Sequence, residues 1–258
     1  MRYEILGSLR VVHDGEVRNL SARKKETLLA ALLIRAGQVV SKDQLVDELW
    51  GETPPRSASA ALHVYVSQLR NFLRGHGASP SPIVTRAPGY MMEVAEGQTD
   101  FATFRRHLAR GRQEASAGAC ERAVASFEAA LGQWRGPALE GLGKGRIVSG
   151  FVTWAEELRL ECLERWVAST LVLGRDQELI GTLHSLVCEY PLHEEFYLSL
   201  MTALNNVGRR ADALRTYRRA RDVLHTDLGI DPCRRLRDLH QTILRAEELP
   251  RGQGVLAR

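Results

Sequence analysis

From Arg56 to Arg74 the chain reads RSASAALHVYVSQLRNFLR, and the apolar residues Leu62, Val66, Leu69 and Leu73 step by four, three and four. That spacing predicts a helix with one buried stripe. Pro54 and Pro55 cannot carry a helix in from upstream, and Ser57 or Ser59 can cap a new one that ends near Gly75. At about 100° per residue the opposite arc holds Arg56, Ala60, His63, Val64, Ser67, Asn71 and Arg74, with Gln68 and Arg70 at its edges. The helix carries no carboxylate. A small, polar, cationic face of this kind suits the major groove of DNA. A solvent-facing helix with arginine chosen for solubility has the same pattern, so its neighbours decide.

Upstream, Tyr3–Val12 reads YEILGSLRVV as a strand with a glycine at its middle, Asp14-Gly15 as a turn and Glu16–Leu20 as a second strand. Ser21 can cap the helix RKKETLLAALLIRAG, which buries Leu28, Leu29, Leu32 and Leu33 and ends at Gly37. Val39-Val40 is a short bridge. Ser41 caps KDQLVDELWG, a helix that turns Leu45, Val46, Leu49 and Trp50 inward. Downstream of the cationic helix, PIVTRAPGYMMEV over Pro82–Val94 predicts a β-hairpin turning at Pro88-Gly89, with Arg86 near its tip. Sheet, three helices and hairpin in that order make a winged helix-turn-helix.

LHVYVSQLRNFL followed by VTRAPGYMMEV resembles the DNA-binding domain of OmpR-type response regulators, and the Pro88-Gly89-Tyr90 form resembles the Streptomyces antibiotic regulatory protein family. This resemblance covers about residues 1–95. No receiver domain precedes the first strand in the sequence, so control by aspartyl phosphorylation in cis is not expected.

After a polar break at Glu96–Thr99 the apolar positions predict helix after helix: 100–115, 119–134, 151–174, 176–189, 193–207, 209–226 and 232–246, with a glycine-rich loop over 136–150. Ala123, Phe127 and Ala130 have the same spacing as Ala213, Tyr217 and Ala220. Leu179 and Gly174 lie 34 residues before Ala213 and Gly208. Thirty-four residues is the tetratricopeptide period, in which each helix pair buries its face against its neighbours. AALGQWRGPALEGL and the stretch from Tyr190 to Pro232 resemble the bacterial transcriptional activation domain. The expected fold class is therefore mainly α: an α+β winged helix over 1–95, then an all-α tetratricopeptide-like domain over 96–248. The remaining residues, 249–258, form a tail expected to be disordered.

The net charge of +4 permits a nucleic-acid partner without requiring one. Each half of the chain carries about +2, so any DNA-binding charge is local, and the second half shows no basic face in its sequence. Cys120, Cys162, Cys188 and Cys233 are too dispersed for a zinc site or a secreted disulfide framework, and reduced core thiols in the cytoplasm are expected. Neither a signal peptide nor a membrane span is visible. Gly141-x-Gly143-Lys144-Gly145 lacks the spacing and preceding strand of a phosphate loop. His184 and His193 have no metal-ligand pairing, and the acid pairs Glu156-Glu157 and Glu194-Glu195 lie on helices as solvated faces. No enzyme, metal or cofactor is expected.

The residues point to a sequence-specific DNA-binding protein, and the resemblance implies a transcriptional activator. His63, Val64, Ser67, Gln68 and Asn71 are expected at base edges, Gln and Asn suiting adenine and Val64 a thymine methyl. Arg56, Arg70, Arg74 and Arg86 are expected at phosphates, with Arg86 also able to enter the minor groove, and Tyr65, Thr85 and Tyr90 at the backbone or wing. The resemblance implies binding to direct repeats in promoter DNA, self-association there, contact with RNA polymerase holoenzyme and control of an antibiotic gene cluster, in the cytoplasm at the nucleoid. A repressor with the same winged helix and a peptide-binding adaptor built on the helical repeats remain open alternatives.

Overall fold

Tyr3–Val12 is two strands, not one. In the computed structural model, which describes residues 1–75, 80–95, 97–142 and 145–245, β1 (Arg2–Glu4) and β2 (Arg10–His13) pair antiparallel. β3 (Glu16–Arg18) adds to β2 across the Asp14-Gly15 turn. The backbone between β1 and β2 is engaged elsewhere. The Asp100 carboxylate accepts from the N–H groups of Ile5 and Leu6 at 2.9 Å. Arg135 N and Leu139 N donate to the carbonyls of Leu6 and Ile5. Asp100 is 1% exposed, and Arg135 approaches it at 3.5 Å while also meeting Glu4 at 3.2 Å. Burial pushes the Asp100 carboxyl above its ordinary range, and the Ile5 and Leu6 N–H groups and the Arg135 guanidinium pull it back.

The helices of the winged helix are α1 (Arg23–Ile34), α2 (Lys42–Trp50) and α3 (Ala58–Gly75). α1 starts after Ala22, whose side chain makes no cap, so Ser21 is not the cap residue. At α2 the expected capping box is complete: Ser41 Oγ accepts from Gln44 N at 3.1 Å, and Gln44 Oε1 accepts from Ser41 N at 3.0 Å. β4 (Val39–Ser41), β5 (Ile83–Arg86) and β6 (Gly89–Met92) form a second sheet in the order β4-β6-β5. A Cβ on Gly89 would lie 1.8 Å from the Val40 carbonyl oxygen, so β6 can lie this close to β4 only with glycine there.

The helical part comprises α4 (Asp100–Ser116), α5 (Cys120–Leu131), α6 (Arg146–Val172), α7 (Asp176–Glu189), α8 (Glu194–Asn206), α9 (Arg210–Leu228) and α10 (Arg234–Arg245). α6 begins five residues before the expected Phe151. Its first-turn N–H groups at Ile147 and Val148 donate to the Glu48 carboxylate of α2, at 2.7 and 3.0 Å. The glycine-rich stretch thus leads to an anion after all, and the anion is the protein's own. A Cβ on Gly145 would lie 2.1 Å from that carboxylate. Glu48 is 5% exposed and was expected on no inward face. Gly143 and Lys144 lie outside the described residues, as do Glu96 and the tail 249–258.

The contacts divide the chain into two units: Met1–Leu108 with Ala129–Leu160, and Ala109–Glu128 with the residues from Glu161 onward. The expected break at 95/96 falls inside the first unit. In the second, α8 packs on α7 and α9, and α10 on α8 and α9. Ala213, Ala220, Leu179 and Leu183 of the 34-residue pattern are buried. Gly174 and Gly208 both take left-handed φ, 71° and 79°. After them, Arg175 N and Arg209 N close equivalent turns on Thr170 O and Leu204 O. The acid pair Glu194-Glu195 is not merely solvated: Glu194 accepts from Cys233 N, and Glu195 meets Arg235. Cys120 and Cys162 are core thiols, whereas Cys188 and Cys233 are exposed. Among the described residues no helix is long and apolar enough to cross a membrane.

Replacing Asp100 with Ala leaves three buried N–H groups, those of Ile5, Leu6 and Phe101, without this acceptor. Urea unfolding is expected to show a loss of about 2–4 kcal/mol; a loss below about 0.5 kcal/mol would remove this carboxylate from its organising role.

Candidate nucleic-acid interface

Leu62, Val66, Leu69 and Leu73 of α3 are buried, as their spacing requires, and fix the rotation of the helix. Val64, Ser67, Gln68 and Asn71 then fall on the exposed side, with Val64 51% exposed. Asn71 Oδ1 accepts from Arg74 Nη2 at 3.3 Å, and Arg74 Nε also donates to the Arg70 backbone carbonyl at 3.3 Å. Arg56 is exposed and lies in the turn ahead of α3 rather than on the helix.

Two side chains at the border of the buried stripe tie α3 to the hairpin. His63 and Arg70 are seven residues apart and so share one side of the helix. His63 Nδ1 hydrogen bonds to the Tyr90 hydroxyl at 2.8 Å. Arg70 donates from Nε to the Ile83 carbonyl and from Nη2 to Thr85 Oγ1, both at 2.9 Å, and its guanidinium lies 5.8 Å from the Tyr90 ring centre. Thr85 and Tyr90 are cross-strand partners in β5 and β6, so four side chains close a ring between helix and wing. Arg86 follows Thr85 and is exposed at the end of β5, where the hairpin turns.

Tyr90 therefore does not stand out on the wing as expected. It is 2% exposed, and its hydroxyl orients His63. Burial raises its phenol above the ordinary value, with Arg70 opposing, and keeps it neutral. Tyr65 is half-buried and stacks on Trp50 at 6.2 Å with 20° between the rings. Lys24 places its ammonium 4.5 Å from the Trp50 ring centre and donates to the Leu49 carbonyl at the end of α2. Lys24, Trp50 and the bonded roles of His63 and Arg70 were not expected from the sequence. The legible signal was the i, i+7 placement of His63 and Arg70 beside the stripe.

The family profile described as "Transcriptional regulatory protein, C terminal" matches residues 17–92, and that described as "Bacterial transcriptional activator domain" matches residues 99–244. The chain is 36% identical to the regulatory protein DnrI of Streptomyces peucetius, over 96% of this chain and 93% of DnrI. It is 35% identical to the transcriptional regulator RedD of Streptomyces coelicolor, over 98% of this chain and 73% of RedD. Against the transcriptional regulatory protein EmbR of Mycobacterium tuberculosis the identity is 35%, and the chain spans 64% of the length of EmbR. A solved structure of Mycobacterium tuberculosis EmbR in complex with a low-affinity phosphopeptide superposes with a TM-score of 0.92 at 34% identity, covering 98% of this chain and 67% of that one.

Replacing Arg70 with Gln removes the clamp between α3 and β5. Amide exchange over Ile83–Arg86 is expected to accelerate by about tenfold with helix content unchanged. Unchanged exchange would show that the hairpin is held by its strand pairing alone.

Proposed function

The chain belongs to the Streptomyces antibiotic regulatory protein family of transcriptional regulators, and on that premise we propose that it activates transcription by binding promoter DNA with α3 in the major groove. The observation that carries this proposal is the exposed, acid-free face of α3 beside a clamped wing. Val64, Ser67, Gln68 and Asn71 reach base edges, with His63 held at their border by Tyr90. Arg56, Arg74 and Arg86 lie at phosphates before, behind and beside that face. Arg70 uses two of its donors on the wing and offers those that remain to the backbone. Tyr65 and Thr85 contribute by fixing the helix and the wing.

The proposed sites are direct repeats, which two copies occupy head to tail, with the helical domain supplying the contact between copies and the contact to RNA polymerase holoenzyme. The target is an antibiotic gene cluster, in the cytoplasm at the nucleoid. Identity to DnrI and RedD supports activation over the adaptor alternative.

Footprinting on the neighbouring promoters, followed by titration of the protected site, tests this directly. Three or four arginine–phosphate contacts give a log–log salt slope of roughly −3 to −4 per copy; a slope near zero would exclude the geometry. Gln68→Ala or Asn71→Ala is expected to cost about 1–3 kcal/mol on the protected site and little on random DNA. Equal losses on both would mean that these residues do not read bases. Tyr90→Phe, which frees His63, is expected to weaken specific binding by about threefold to tenfold without lowering the melting temperature appreciably.

A further inference from the structure

The second unit contains a cavity of about 190 Å³ between α7, α8 and α9. Its lining includes Arg209, Arg215 and Arg219 against a single acid, Asp212, a surplus of two positive charges. Asp212 is already shared by Arg209 at 2.7 Å and by Arg215. Arg219 meets no carboxylate among the described residues; its guanidinium donates to the Cys188 thiol at 3.3 Å, a weak acceptor.

Tyr197 lines the same cavity. The residue is fully buried, 0% exposed, yet among the described residues its hydroxyl has no hydrogen-bond partner. A buried hydroxyl left unpaired costs stability and is uncommon without a reason. Burial raises its phenol above the ordinary value and Arg219 opposes this, so the group is a neutral donor. Two sets of donors, a phenol and a guanidinium lacking an anion, therefore share one small space.

Arg215 and Arg219 also border an open trough of about 550 Å³ along the outer face of α9, lined from Arg215 to Asp227 by residues of that helix. The trough changes sign along its length, from arginine at one end to aspartate at the other. From Arg219 to Asp227 is eight residues of helix, about 12 Å. An extended peptide covers that distance in three to four residues.

We propose that this groove binds an extended peptide segment of a partner protein through one carboxylate, held by Arg219, Arg215 and the Tyr197 hydroxyl, with a basic residue three to four positions away set against Asp222 and Asp227. The cavity is too small for most whole ligands, which occupy roughly 300–1,000 Å³, and suits one acidic side chain or chain terminus. Opposite charges at the two ends fix the direction in which the segment lies. The arginines all belong to α9 or the residue before it, interleaved with Asp212, Asp222 and Asp227, and stacking of α7 and α8 on that helix adds the Tyr197 and Cys188 side chains beside them.

The test uses the full chain and fluorescein-labelled glycine/serine peptides that carry one Glu and one Lys three or four residues apart, in both orders. Anisotropy is expected to show saturable binding for one order, and exchanging the Glu for Gln is expected to weaken it about tenfold or more. Arg219→Gln is expected to weaken it by a similar factor and Tyr197→Phe by about threefold or more, while both variants melt and bind promoter DNA as the parent does. Peptide binding is also expected to slow alkylation of the exposed Cys188 thiol. Equal binding of the Glu and Gln peptides, indifference to Arg219→Gln, or no binding at millimolar peptide would overturn the proposal. Competition by glutarate as strong as by the peptide would assign the cavity to a small acid instead.

Discussion

A backbone N–H taken out of water must find an acceptor, and two carboxylates supply that acceptor at the places where this fold depends on it. Asp100 serves Ile5 and Leu6, ending β1 and turning the chain into β2. Glu48 serves Ile147 and Val148, starting α6. Each bond joins segments about a hundred residues apart. The winged helix therefore obtains part of its internal satisfaction from residues beyond its own stretch of sequence. This is why the first unit takes in Ala129–Leu160 as well as the winged helix.

The second constraint is local to α3 and the hairpin. α3 is rotated by its leucine stripe, but a stripe leaves the wing free to slide. His63 to Tyr90 and Arg70 to Ile83 and Thr85 remove that freedom at two points. Gly89 allows β6 to lie against β4, so the hairpin is anchored from both sides. Side chains that look alike on a helical wheel thus divide into those that hold the wing and those that face outward.

Periodicity carried most of the fold. The stripe of α3, the capping box at Ser41, the hairpin at Pro88-Gly89 and the helices after Asp100 all follow from spacing of three, four or two residues, which reports local geometry. What spacing could not report was partnership across the chain. Spacing singled out neither Glu48 nor Asp100, and Ile5–Leu9 read as continuous strand, because the backbone groups these carboxylates satisfy lie about a hundred residues from them. The same limit applies to the interface: exposure of Val64, Ser67, Gln68 and Asn71 was legible, whereas the inward Tyr90 and the bonded Arg70 were not.

If α3 reads DNA as proposed, the division of labour on it also sets how such a protein changes its target over evolutionary time. The side chains of Ser67, Gln68 and Val64 are exposed and make no hydrogen bond or ring contact within the described structure, so exchanging them changes the outward surface alone. His63 and Arg70 cannot drift in that way, since each carries part of the wing. New specificities are therefore expected to arise by substitution at the first group on an unchanged helix-and-wing frame. Two descendants could then part company in the promoters they serve while remaining superimposable in everything that positions the reading surface.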